Sequence, residues 1–201
     1  MLLPEALILS TQRSGTHLLE SFLTKHPQIV GQGELFNRYH KLGILERKVE
    51  GKLNIGILMY NQMYIFEKLG GAFINHKIIH LIRNPYNVAL SRLQMTADKA
   101  KQGNLYKAHY HNHESINERG VPDLSKLIEL TNEINAVQQK YIELLKDTNH
   151  LLIKYEDFVK NDENAVELDE DVQSKILQFL CLENVSFKLY TTYIKTGIVS
   201  E

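Results

Sequence analysis

Three clusters of residues in this sequence have the types and spacing to hold anions and to move a proton. The first is the turn Arg13-Ser14-Gly15-Thr16, which opens into a stretch where Leu18, Leu19, Phe22 and Leu23 recur at helical spacing. A turn feeding a helix offers unpaired backbone N–H groups and the positive end of a dipole, which together make an anion site. Ser14 and Thr16 add hydroxyl donors, and Gly15 lets backbone approach closely. Arg13 adds a permanent cation with a planar donor fork. The pattern is not the nucleoside-triphosphate loop G-x-x-x-x-G-K-[ST], because the glycine spacing differs and no Lys precedes Ser or Thr. Taken alone, the turn reads equally well as a capped helix with a surface arginine.

The second cluster is Arg83, at the end of the apolar run 77–82, with Ser91 eight residues on. Asn84-Pro85 is a strong helix start, and a helix begun at Pro85 carries Ser91 about one and a half turns in, able to face back toward the same anion. The competing reading is an ion pair for Arg83 and an ordinary helical serine. The third is Glu34, after a short apolar run and beside Gly31 and Gly33. In a cleft near a reacting hydroxyl it would serve as general base, although a carboxylate at a helix start is also a common cap. His109, His111 and His113 would share one face of a strand and suit a metal. Only Glu114 adds a carboxylate there, and the segment reads as polar loop, so no metal site is expected.

The elements that must position these groups alternate. Short apolar runs at 6–10, 28–31, 54–59, 77–82 and 151–153 read as strands, separated by helical patterns. The helices are expected at 18–23, 63–69, from Pro85 through Leu93, at 124–146 and at 171–180. In the long helix the apolar face is expected to be Leu127, Leu130, Ile134, Val137, Tyr141 and Leu144. Residues 94–123 are polar and His-rich and read as an insertion or lid. This order predicts an α/β fold, a three-layer α/β/α sandwich around a central parallel sheet of about four or five strands, in one domain spanning 1–201. In such a sheet ligands bind outside the carboxyl ends of the strands. Arg13, Glu34, Arg83 and Tyr155 each follow the end of a different expected strand, so adjacent parallel strands would gather all four on one rim.

Composition narrows the choice of partner. The chain has 201 residues, 23 basic and 24 acidic, with a net charge of −1, so it offers no broad basic field to nucleic acid or membrane and any anion site must be local. Its apolar runs are far short of a bilayer span. A single cysteine, Cys181, excludes a disulfide framework and a thiolate metal cluster. The start of the sequence has no basic segment or cleavage site, so a cytoplasmic protein is expected.

The ordered motifs resemble those of sulfotransferases that use 3′-phosphoadenosine 5′-phosphosulfate (PAPS). Gln12-Arg13-Ser14-Gly15-Thr16-His17-Leu18-Leu19, running to His26-Pro27, is similar to their P-loop-like phosphosulfate loop. Ile82-Arg83-Asn84-Pro85 with Ser91 is similar to their 3′-phosphate motif. Lys154-Tyr155-Glu156-Asp157 resembles their late strand-end motif, and Ile176-Leu177-Gln178-Phe179-Leu180 the helix after it. The bacterial carbohydrate and lipid branch, trehalose sulfotransferases included, is the nearest, and like the tyrosylprotein enzymes it carries a carboxylate base where this sequence has Glu34.

The resemblance implies that Arg13, Ser14, Gly15 and Thr16 hold the 5′-phosphosulfate; His17 either donates to the phosphate as well or lines the acceptor side. It implies that Arg83 and Ser91 hold the 3′-phosphate and that Tyr155 lies near the adenosine. Glu34 would take the proton of a carbohydrate or lipid-like acceptor hydroxyl, and Arg13 would stabilise the leaving oxygen, with no metal required. Gln12 stands where the family usually has Pro, and His17 where a second Thr is common. The usual late basic-glycine segment is missing before Glu201, with Lys195 a partial substitute. Two alternatives are a nucleotide-dependent phosphotransferase, which lacks its P-loop Lys here, and a catalytically weak nucleotide-binding module.

Overall fold

The structure is a computed structural model that describes residues 3–36, 49–102, 119–162 and 165–183. Five strands form one sheet in the order β2-β3-β1-β4-β5, with β1 at Ala6–Ser10, β2 at Ile29–Glu34, β3 at Leu53–Met59, β4 at Lys77–Ile82 and β5 at His150–Lys154. Every neighbouring pair in it is parallel. The mostly apolar runs of β1 and β4, the latter broken only by buried His80, follow from this arrangement, because a parallel sheet is covered on both faces.

Alternation along β1 divides the core. Ala6 and Ile8 face α1 (Thr16–Leu23) and α6 (Glu170–Leu180), packing with Leu19, Phe22, Ile176 and Leu180. Leu7 and Leu9 face the other way, onto Phe66 of α2 (Met63–Lys68) and onto Tyr141 and Leu145 of α4 (Leu127–Leu145). The helix α3 (Pro85–Gln102) packs on α4 through Val88, Ala89 and Ile134. The expected α/β layers are therefore present.

Four details differ from the sequence reading. First, α3 runs on to Gln102, so residues 94–102 of the polar stretch are helix. Buried Asp98 explains this: it accepts from Gln94 Nε2 at 2.8 Å and from the Gly120 amide at 2.9 Å, fastening the returning chain to the helix. Second, the buried stripe of α4 is Ile134, Gln138, Tyr141 and Leu145, while Val137 and Leu144 are 40% and 53% exposed. The face turns because Gln138 Nε2 donates to the Arg83 carbonyl at 2.9 Å, bringing a polar residue inside. Third, β2 extends to Glu34, with Gly31 opposite Ile55 and Glu34 opposite Ile57, a bulge in which three residues span two. Fourth, a short helix α5 (Tyr155–Phe158) follows β5, and an antiparallel hairpin of β6 (Val159–Asp162) and β7 (Ala165–Leu168) precedes α6.

Candidate active site

The rim foreseen from the sequence is formed. Parallel strands put the carboxyl ends of β2, β1, β4 and β5 on one edge of the sheet, and Glu34, Arg13, Arg83 and Tyr155 stand at or just beyond them.

The loop after β1 is anchored before it turns: Ser10 Oγ donates to the Leu81 carbonyl of β4 at 2.5 Å. Arg13 then takes a φ of 70° and Gly15 a φ of 92°. The first is uncommon for a residue with a side chain and costs on the order of 1 kcal/mol, a strain that clusters at functional sites. Gly15 is required twice over, since a Cβ there would lie 2.5 Å from Cδ2 and Cε2 of Tyr155. Gly15 caps α1, whose first turn carries no acidic residue to neutralise the helix dipole. Ser14 is fully buried at 0% exposure, and its hydroxyl has no hydrogen-bond partner among the described residues.

The loop is tied to the β4–α3 junction by both arginines. Arg13 Nε donates to Ser91 Oγ at 3.0 Å, and Arg83 Nη1 donates to the Arg13 carbonyl at 3.1 Å. The Arg83 guanidinium lies 4.3 Å over the Tyr155 ring, a cation–π contact, while its buried Nε has no partner. Asn84 caps α3 as expected, its Oδ1 accepting from the Tyr86 amide at 3.0 Å, and Glu156 accepts from the Asn84 amide at 2.8 Å. Burial pushes the Tyr155 phenol up, with Arg83 opposing and Glu156 adding to the rise.

On the other side of α1, His17 Nε2 lies 3.1 Å from Glu34 Oε1, and its Nδ1 lies 3.8 Å from Glu20 Oε2. Burial alone would lower the His17 pKa, but Glu20 and Glu34 outweigh it and raise it from 6.5 to about 9. Glu20 also accepts from the Gly33 amide at 2.7 Å. The structure thus engages the His17 imidazole with carboxylates, and the His17 N–H is what belongs to the first turn of α1.

Two residues escaped sequence reasoning. Glu20, within the helical stretch that begins α1, carries no motif that singles it out. Arg92, next to Ser91, turns inward: its Nη2 donates to Thr11 Oγ1 at 2.8 Å, its Nε is buried without a partner, and burial lowers its pKa. It lines a cavity of about 370 Å³ with Thr11, Gln12, Tyr60, Glu133 and Lys140. The available signal was a cation one position beyond the motif serine, on a helix expected to be packed. His109, His111, His113 and Lys195 lie outside the described residues. Among the described residues, no helix is long and apolar enough to cross a membrane.

A parallel α/β sheet carries an arginine-bearing turn that caps its first helix and is tied to a second arginine and a serine beyond the fourth strand. The family described as Sulfotransferase domain matches residues 3–180, and the chain belongs to that family. Solved structures agree on the fold. Mouse sulfotransferase SULT7A1 complexed with PAP is 19% identical with a TM-score of 0.55, covering 90% of this chain and 59% of that one. The sulfotransferase domain from the curacin biosynthetic pathway is 18% identical with a TM-score of 0.58, covering 91% of this chain and 76% of that one. A sulfotransferase from Alicyclobacillus acidocaldarius is 14% identical with a TM-score of 0.57, covering 98% and 87%. The chain therefore spans about three fifths of the length of the mouse protein. No curated protein matches it by sequence.

Proposed function

We propose that this protein transfers a sulfuryl group from PAPS to the hydroxyl of a carbohydrate or lipid-like acceptor, in the cytoplasm. The observation that carries the reading is a pair of buried donors without partners among the described residues, Ser14 Oγ and Arg83 Nε, in two segments that Arg13 links at the N-terminus of α1. Buried polar groups are normally satisfied, so a site built with two unmet donors beside an uncompensated helix terminus suits an oxyanion. PAP in the mouse relative is such a ligand.

The donor, when bound, supplies an activated sulfuryl group on a phosphosulfate anhydride. Arg13, Ser14, Gly15, Thr16 and the His17 amide would hold its 5′ end. Arg83 and Ser91 would hold the 3′-phosphate, the group that separates this donor from ATP. Tyr155, packed between Gly15 and Arg83, would orient Arg83 on the adenosine side. Glu34 would accept the proton of the attacking hydroxyl, and Arg13 would stabilise charge on the leaving oxygen. Such transfer relies on positioning and charge stabilisation, and the residues above supply both without a metal.

Calorimetric binding of adenosine 3′,5′-bisphosphate, without added metal and beside 5′-AMP and ATP, tests the reading. Preference for the bisphosphate, weakened about 10- to 100-fold in Arg83→Ala as expected for a lost charged hydrogen bond, supports it and warrants an acceptor screen with PAPS. Preference for ATP with Mg²⁺ points to a phosphotransferase, and binding without turnover of any acceptor to a binding module.

A further inference from the structure

Glu34 meets His17 at the end of a bulged strand. The bulge in β2 places an extra residue between Gly31 and Glu34, with Gly33 in the left-handed region at φ 67°. Bulges of this kind re-aim a side chain. This one is pinned by Glu20, whose Oε1 accepts from the Gly33 amide at 2.7 Å and would lie 2.7 Å from a Cβ on Gly31. The other Glu20 oxygen is 3.8 Å from His17 Nδ1, and His17 Nε2 is 3.1 Å from Glu34 Oε1. Bulge, helix and carboxylate are therefore connected through one imidazole.

Ionised carboxylates only accept hydrogen bonds. With one carboxylate 3.1 Å from Nε2 and another 3.8 Å from Nδ1, the surroundings of the ring favour the imidazolium form. The rise of the His17 pKa to about 9, against the effect of burial, agrees with this. A neutral hydroxyl, such as that of the threonine more usual at this position, could give Glu34 one hydrogen bond but no charge and no link to Glu20.

We propose that His17 is a positioning residue for Glu34: held by Glu20 and the bulge, its ring fixes one Glu34 oxygen and so sets the direction in which the carboxylate meets the acceptor hydroxyl. The proposal rests on the reading of Glu34 as the base. It differs from the expectation that the His17 side chain holds the donor, and the two make opposite predictions.

The test compares His17→Ala, His17→Gln and Glu34→Gln, each checked for folding by thermal melt. Adenosine 3′,5′-bisphosphate is expected to bind His17→Ala within about threefold of the parent, because the imidazole faces the base. With an acceptor from the screen, kcat of His17→Ala is expected to fall about 100-fold with donor KM nearly unchanged, the scale of a small misplacement. His17→Gln keeps an N–H near the Nε2 position and is expected to regain about tenfold of that loss. The double variant His17→Ala/Glu34→Gln should be no slower than Glu34→Gln alone, since one residue acts through the other. A measurement that needs no acceptor is ¹⁵N NMR of the imidazole: both nitrogens protonated near pH 7.5, and a shift toward the neutral ring in Glu34→Gln. A tenfold loss of bisphosphate affinity in His17→Ala, a neutral ring near pH 7.5, or a further loss in the double variant overturns the proposal. Retained turnover in Glu34→Gln removes the base assignment itself. An inactive Glu34→Gln beside a fully active His17→Ala removes the positioning role alone.

Discussion

Arg13 Nε donates to Ser91 Oγ at 3.0 Å across 78 residues of sequence. The contact joins the loop beyond β1 to the second turn of α3, so the two segments proposed to hold the donor meet through a side-chain hydrogen bond as well as through Arg83. Variants at the two positions are therefore coupled. Arg13→Ala and Ser91→Ala are each expected to weaken bisphosphate binding about tenfold or more, as for a hydrogen bond to a charged group. The double variant should lose less than both losses together, by a coupling of about 0.5–3 kcal/mol. Strict additivity in calorimetric titrations would mean that the two residues serve separate subsites.

Ser14→Ala should separate stability from binding. The Ser14 hydroxyl is buried without a partner, so its removal takes away an unmet polar group rather than a hydrogen bond. The ligand-free variant is expected to melt within about 2 °C of the parent or above it, while its affinity for the bisphosphate falls. A clear loss of thermal stability without ligand would show that the hydroxyl is satisfied in the resting protein.

Gly15→Ala meets two obstacles at once, a φ of 92° and the Tyr155 ring 2.5 Å from the added carbon. Left-handed backbone costs roughly 1–2 kcal/mol and forced repacking about 1–3 kcal/mol, so the melting temperature should fall by roughly 5–10 °C. Combining it with Tyr155→Ala removes the clash but leaves the backbone strain, so the combined variant should show less than the two separate losses. Full additivity would place the whole effect in the backbone.

Two histidines shape stability against pH in opposite directions. Burial, with His150 beside it, lowers His80 from 6.5 to about 4, and its Nε2 shares a hydrogen bond with the Tyr60 hydroxyl. Between those values the folded state binds fewer protons at His80 than the unfolded chain, so stability falls as pH drops from 6.5 toward 4, by about 3 kcal/mol. His17 behaves in reverse: its folded pKa is raised, so its contribution is complete below 6.5 and is lost as pH rises toward 9. Urea midpoints measured across this range should pass through a maximum. His17→Gln should flatten the alkaline limb, and an unchanged alkaline limb in that variant would contradict the charge state assigned to His17.

The sequence disclosed what depends on local pattern. β1 and β4 are largely apolar runs, His80 apart, because both their faces are covered, and the Asn84-Pro85 start of α3 needs only its own cap. The gathering of Arg13, Glu34, Arg83 and Tyr155 followed from strand ends and a parallel sheet. What stayed hidden depends on partners distant in sequence. Gln138 turns the buried face of α4 because it meets the Arg83 carbonyl 55 positions away. Asp98 keeps α3 helical because it meets Gly120. Glu20 has an ordinary helical spacing, and only the bulge in β2 gives it a role.

The parallel sheet also bears on how the site comes into being. β1 has no hairpin partner: Ala6 pairs with Ile55 and Lys77, and Ile82 of the next strand pairs with Lys154. Each pairing closes a long loop before any contact rewards it, which slows folding. The arginines and serines proposed to hold the nucleotide come from both sides of these closures, so no early, partly ordered chain holds the site. A nucleotide bound there captures only the finished fold. At 100 times its dissociation constant it would add about 2.7 kcal/mol to stability. That gain would appear as slower unfolding, with the rate of refolding unchanged.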